Sequence, residues 1–253
     1  MLDILILSFV QGVTEFLPIS SSSHIILFSK FMNFISEDLM LNVSLHIGSF
    51  LAVLVFFRQE ILSFFIYRKI FILMIIASLP IILFGYLIAE TEIINNLRSL
   101  KIIGWTTVVF GILLYVSDKK ENEKSLEINF DLKSAIIIGV LHVFSLVPGV
   151  SRSGIAITAA RFLKFDRINA AKISFLLSIP TLLAVTVFGI FNIYKTENFD
   201  IIKINFSSII LSFIFSYITM VAFLGYIKKA NLDVFVLYRI VLGTIILIFA
   251  YQG

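Results

Sequence analysis

Cysteine is absent from this 253-residue chain, which excludes disulfides and thiolate metal centres. Charge is scarce. Asp, Glu, Lys and Arg make up 14% of the residues, against roughly 25% in an ordinary soluble protein. Histidine occurs three times, proline four times and tryptophan once, so each of these can be weighed singly. The start, Met1-Leu2-Asp3, has no positive n-region and no small-residue cleavage site, so no removable signal peptide is expected. The formal net charge of +4 is small and spread over loops. It suits anionic headgroups at a membrane surface better than a nucleic-acid footprint.

What fills the chain is apolar. Hydrophobic residues make up 59%, Phe alone occupies 27 positions, and the mean hydropathy is +1.05. These values predict an all-α polytopic membrane protein. Six stretches are long and apolar enough to span: about 40–57, 70–89, 102–117, 173–194, 204–227 and 234–251. A span needs ~20 apolar residues, so 102–117 is slightly short. Two further apolar regions, about 1–35 and 134–165, are each broken by a polar segment. Non-helical backbone at membrane depth is tolerated only inside protein or beside a wet cavity. Both regions are therefore expected to be re-entrant helical hairpins.

The two halves answer each other. Leu17-Pro18-Ile19-Ser20-Ser21 resembles Val147-Pro148-Gly149-Val150-Ser151, and the segment 49–57 resembles 181–189. Gly85-Tyr86 matches Gly225-Tyr226, and Gly111 matches Gly243. This predicts a first repeat over 1–117, a linker over 118–133 and a second repeat over 134–253. One hairpin and three spans per repeat make the halves inverted, an arrangement known from secondary transporters. Loops 58–69, 118–133, 161–172 and 228–233 then share one side and hold 13 of the 20 basic residues. The positive-inside rule makes that side cytoplasmic. Small residues at Gly104, Gly111, Gly225 and Gly243 permit close helix contact, within one chain or in a homodimer.

The polar breaks carry the chemistry. They read Gln11-Gly-Val-Thr-Glu15-Phe-Leu-Pro18-Ile-Ser-Ser-Ser-Ser-His24 and Pro148-Gly-Val-Ser151-Arg152-Ser153-Gly154. An ionisable group inside a membrane is costly and is a functional-site candidate by default. Gln11 and Glu15 share a helix face and suit a hard cation or a water. The serine run, with Ser21 and Ser22 foremost, suits either a helix cap or an anion site. His24 stands near both as a nucleophile or proton donor. Arg152, flanked by Ser151, Ser153 and Gly154, offers a guanidinium fork to phosphate oxygens, and a salt bridge to Glu15 is its structural alternative. His46 and His142 lack such company and read as structural, although His46 lies in a span able to line the same cavity. Arg239 reads as structural or as snorkelling from its span.

These residues carry a resemblance. Gln11-x-x-x-Glu15-Phe-Leu-Pro18-x-Ser-Ser21-x-x-His24 together with Pro148-Gly-x-Ser151-Arg152-Ser153-Gly154 closely resembles the undecaprenyl-diphosphatase family, also called bacitracin-resistance proteins. The resemblance implies a phosphatase of the bacterial inner membrane that hydrolyses undecaprenyl diphosphate to undecaprenyl phosphate and inorganic phosphate. It recycles the lipid carrier for peptidoglycan and other envelope polymers. It further implies a divalent cation, Mg²⁺ or Ca²⁺, near Glu15 and Gln11, and a site open to the outer, periplasmic side. Glu15, His24, Ser21 and Arg152 would be catalytic, with Arg152, Ser151, Ser153, Gly154 and Ser22 holding phosphate. The chain departs from the family at Gln11, where Glu is more frequent, and at Ala156, where Thr is frequent. A transporter or flippase of a polyprenyl phosphate lipid is the rival reading that the inverted repeat alone would favour.

Overall fold

The computed structural model describes residues 2–21, 23–24, 39–64, 68–89, 91, 97–119, 123–195 and 206–252. Among these residues it is helical, and its one β-type pairing is the isolated bridge between Lys124 and Phe165. In chain order the helices are α1 (Leu2–Phe16), α2 (Leu39–Phe56), α3 (Arg58–Phe64), α4 (Arg68–Ala89), α5 (Leu100–Asp118) and α6 (Leu126–Asn129). They continue as α7 (Leu132–His142), α8 (Arg152–Phe162), α9 (Arg167–Lys195), α10 (Phe206–Ile227) and α11 (Asp233–Gln252). Five of them, α4, α5, α9, α10 and α11, are long and apolar enough to cross a membrane. The chain is thus a multi-pass membrane protein. The stretch 102–117, slightly short by sequence, gains its length from Leu100, Lys101 and Asp118 at its ends. The expected span at 40–57 is shorter than the other five, its apolar run covering Leu41–Phe56 before a turn at Phe57.

Both expected breaks are present. Helix α1 stops at Phe16, the chain turns over 17–19, and helical geometry resumes at Ser21. The remainder of the expected first hairpin, 25–35, lies outside the described residues. The second break is complete. Helix α7 ends at His142, a tight helical turn spans Val143–Leu146, and α8 starts at Arg152. Helices α7 and α8 have 11 residues each. At 1.5 Å per residue each reaches only ~16 Å, about half a hydrocarbon core. Asp131 caps α7 by accepting from the Ser134 N–H at 2.8 Å, and Ser151 caps α8 by accepting from the Gly154 N–H at 3.1 Å. Lys124 N–H donates to Lys164 O at 3.0 Å and Asp166 N–H to Lys124 O at 3.2 Å, so the linker before α7 lies beside the end of α8.

Packing follows a paired pattern. Helix α1 lies on α10, and α7 lies on α4. Both contacts are close because one partner presents a glycine. A Cβ on Gly12 would fall 2.9 Å from Ser216 N, and one on Gly139 would fall 2.5 Å from Ala77 O. Helices α5 and α11 cross where Gly104 meets Gly243. Ser49 of α2 meets Ser212 and Ser216 of α10 at 3.1 and 3.0 Å, polar contacts of the kind that hold helices together in lipid. Beneath the break in α1, the Phe175 ring meets Phe16, Phe57 and Phe223, with centroids 5.4 to 6.2 Å apart. The two edge-on contacts, with Phe16 and Phe57, each add ~0.5–1.5 kcal/mol beyond burial.

One face is closed by Asp118 at the end of α5, which is 3% exposed. Its Oδ1 lies 3.1 Å from Arg161 Nε and 2.8 Å from Arg167 Nε, and its Oδ2 accepts from the Leu232 N–H at 3.1 Å. This brings together three of the loops that basic-residue counting assigns to one side. Asp118→Ala leaves Arg161 buried beside an emptied site, and breaking such a pair costs ~3–5 kcal/mol. The expected outcome is a clearly lower thermal midpoint in detergent, measured by intrinsic fluorescence. An unchanged midpoint would refute the clamp.

Candidate active site

Glu15 occupies the last turn of α1 and Arg152 the first turn of α8, and the two breaks bring them into contact. Glu15 Oε1 and Arg152 NH2 form a tight ion pair. The other guanidinium nitrogen, NH1, donates to Thr181 Oγ1 at 2.8 Å. Thr181 follows Pro180 within α9, and its own hydroxyl lies 3.0 Å from Leu177 O. Ser21 donates to Glu15 Oε2 at 2.8 Å. Gln11 Nε2 lies 3.2 Å from that same oxygen and 3.1 Å from His46 Nδ1. Glu15 fixes the amide's orientation, because the flipped amide would set oxygen against oxygen. Gln11 then donates to His46 Nδ1, which leaves the imidazole proton on Nε2. Gln11 Oε1 is buried and has no hydrogen-bond partner among the described residues.

Most of these groups line a cavity of about 420 Å³. Its polar lining is Glu15, Ser20, Ser21, His46, Ser145, Ser151, Arg152 and Thr181. The remainder is largely apolar: Ile81, Ile82, Gly85 and Tyr86 of α4, Leu146 of the turn, and Ala184, Val185 and Phe188 of α9. Both breaks deliver their residues to it through an unusual backbone state. Ser20 (φ 75°) and Ser151 (φ 71°) adopt left-handed conformations just before helical geometry resumes. Non-glycine residues held there are strained, and such strain concentrates at functional sites.

The sequence-derived residues sort by position. Glu15, Ser21, Ser151 and Arg152 line the cavity, and Gln11 braces Glu15 and His46 from behind. Ser153 differs from the phosphate ligand expected of it, since its hydroxyl donates to Leu17 O at 2.6 Å and stitches one break to the other. Gly154 also has a different neighbour than expected: a Cβ there would sit 2.8 Å from Arg239 NH1, so its bareness admits a protein guanidinium. His24 is turned to other partners, with Nδ1 2.7 Å from Ser20 O and Nε2 2.5 Å from the Tyr238 hydroxyl, its ring stacked on that of Tyr238. Ser22 lies outside the described residues. His142 is buried in α7 with neither ring nitrogen hydrogen-bonded among the described residues. His46, Ser145 and Thr181 are polar cavity groups that lie outside the motifs. Thr181 had a signal, since it opens the repeat of the Ser49 segment; His46 had one in its ability to line the cavity.

Comparison with known proteins finds relatives along the whole chain. A family model described as "Bacitracin resistance protein BacA" matches residues 4–245. A protein of Pelagibacter ubique named undecaprenyl-diphosphatase is 45% identical over 99% of this chain and 98% of its own length. Proteins with the same name from Jannaschia and from Alteromonas mediterranea are 34% and 36% identical, covering 97% and 98% of the chain and 97% and 98% of their own lengths. With both breaks, the cavity between them and this full-length similarity in hand, the chain belongs to the BacA bacitracin resistance protein family.

Proposed function

We propose that this protein hydrolyses undecaprenyl diphosphate to undecaprenyl phosphate and inorganic phosphate, returning the lipid carrier to envelope polymer synthesis and conferring bacitracin resistance. The observation that carries this reading is the mixed lining of the cavity. A guanidinium, hydroxyls and one carboxylate suit a diphosphate, and the apolar residues of α4 and α9 suit the first prenyl units. Family membership and the relatives' names support the same reaction.

In the mechanism, the Arg152–Glu15 pair is the resting arrangement. An arriving phosphate competes for the guanidinium and frees the carboxylate, while Thr181 keeps Arg152 in place. Ser151 and the start of α8 face the same anion. Glu15 takes a proton from the attacking O–H, either Ser21's or that of a water standing beside it. A new P–O bond forms to the terminal phosphorus as the anhydride P–O bond breaks, and the electron pair leaves on undecaprenyl phosphate. If Ser21 attacks, water then cleaves the phosphoserine. His24 supports the Ser20 turn and shares a hydrogen bond with Tyr238.

Among the described residues no cluster of three or more His, Cys, Asp or Glu exists to hold a metal by protein alone. The donors present still fit a hard cation: Glu15, the unpartnered Gln11 Oε1 and the phosphate oxygens. Mg²⁺ commonly binds through one or two carboxylates plus phosphates. When bound, such an ion neutralises charge on the transferring phosphoryl group.

The reading extends to topology. The two halves form an inverted repeat of six spans and two re-entrant hairpins, supported by the matched pairs α1–α10 and α7–α4 and by the matched breaks. The Asp118 face is cytoplasmic. Helix α9 starts beside Asp118 and reaches the cavity wall at Phe188 near its far end, which supports a periplasmic opening.

Phosphate release by the purified protein in detergent tests the reaction. Activity is expected with Mg²⁺ or Ca²⁺ and lost with EDTA. Arg152→Ala and Glu15→Gln should each lower kcat on the order of 10²–10³-fold. A well-folded wild type without release would sink the reading in favour of lipid transport. The ion should show no saturable binding tighter than on the order of 1 mM until diphosphate is added; tight binding to the free protein in calorimetry would contradict a site completed by substrate. Finally, a Cβ on Gly85 meets only Leu146, at 3.4 Å, so a larger side chain extends into the cavity. Gly85→Phe should lower kcat/KM for undecaprenyl diphosphate by tenfold or more, roughly what one blocked hydrophobic contact is worth, and spare isopentenyl diphosphate. Equal losses on both substrates would place the tail elsewhere.

A further inference from the structure

Arg239 belongs to neither motif, yet it is the largest fully buried side chain among the described residues, at 0% exposure. Among those residues no carboxylate comes within ion-pair distance of it. Its N–H groups go to three carbonyls instead. Nε donates to Thr107 O at 3.2 Å, NH1 to Pro18 O at 3.3 Å and NH2 to Gly149 O at 2.8 Å. Pro18 lies in the first break, two residues before Ser20, and Gly149 in the second, two residues before Ser151. The guanidinium thus sits where the two breaks meet. Space for it comes from glycines: a Cβ on Gly154 would fall 2.8 Å from NH1, and one on Gly111 would fall 3.1 Å from Arg239 Cβ.

A buried guanidinium without a counter-ion is expensive. An apolar residue would avoid that cost but would take a donor from both turn carbonyls, leaving Gly149 O only the Thr107 hydroxyl at 3.5 Å. The fork of five N–H donors reaches carbonyls on three separate elements, which the compact ammonium of lysine does not.

We propose that Arg239 is a positioning residue for diphosphate hydrolysis: by holding the Pro18 and Gly149 turns on one guanidinium, it sets Glu15 and Ser21 against Arg152. The proposal rests on the hydrolase reading above. It assigns Gly154 a purpose as well, that of admitting the Arg239 fork beside the start of α8.

Two variants test it in the phosphate-release assay. Arg239→Lys keeps the charge and loses the fork. Gly154→Ala keeps Arg239 and pushes its NH1 aside with a methyl group, which also meets Ser151 Cβ and Oγ at 3.0 Å; Ser151→Ala alongside it separates the two contacts. Both are expected to elute as monodisperse protein. Each should lose kcat on the order of 10²-fold, the scale of an ångström-sized misplacement. KM should stay within about threefold of wild type, because the groups that bind substrate remain. A folded variant of either kind with wild-type kcat overturns the proposal, as does a loss confined to KM. If Arg239→Lys fails to fold, Gly154→Ala decides alone. A wild type without phosphate release removes the hydrolase reading and this proposal together, whereas an active wild type with unaffected variants removes only this one.

Discussion

A broken helix inside a membrane must find a protein partner for every backbone carbonyl that the break sets free, and this requirement organises the centre of the molecule. The solutions are specific side chains. Leu17 O accepts from Ser153, Pro18 O from Arg239, and Ser20 O stands against His24. In the second break, Pro148 O accepts from Thr106 at 2.6 Å and Gly149 O from Arg239. Several of these donors come from the other half of the chain. Satisfying the backbone therefore also docks one break against the other, and that docking places Glu15 beside Arg152.

The site built on this junction is economical in charge. One carboxylate and one guanidinium neutralise each other within the protein, with Ser21, Gln11 and Thr181 completing their hydrogen bonds. Such a pair is tolerated inside protein when its remaining donors and acceptors are met. Apolar residues of α4 and α9 line the same cavity. Under the proposed reaction, an anion that claims the guanidinium releases the carboxylate, and these apolar residues take the lipid tail.

Much of this was legible in the residues. Glu15, Ser21, Ser151 and Arg152 stood out because polar and charged groups are costly in apolar surroundings. The breaks stood out because proline, glycine and serine interrupt otherwise continuous apolar runs. Proximity in sequence is a weaker guide to partners. Ser153 and Gly154 flank Arg152, but successive residues at a helix start point in different directions. One faces the cavity, another the Leu17 carbonyl and the next the Arg239 guanidinium. His24 follows the serine run, yet its ring turns to Tyr238, which is 214 residues away.

The sequence by itself determined the class of protein, the apolar helices and the location of both breaks. These follow from composition and local chemistry, which act within a few residues. Tertiary structure alone decided that Thr181 meets Arg152, that Ser153 serves as a stitch, and that Arg239 lies between the two turns. Each of these depends on which helices touch. That is set by glycine-permitted close approach and by the need to satisfy buried carbonyls across the whole chain, neither of which leaves a mark in any single stretch of residues.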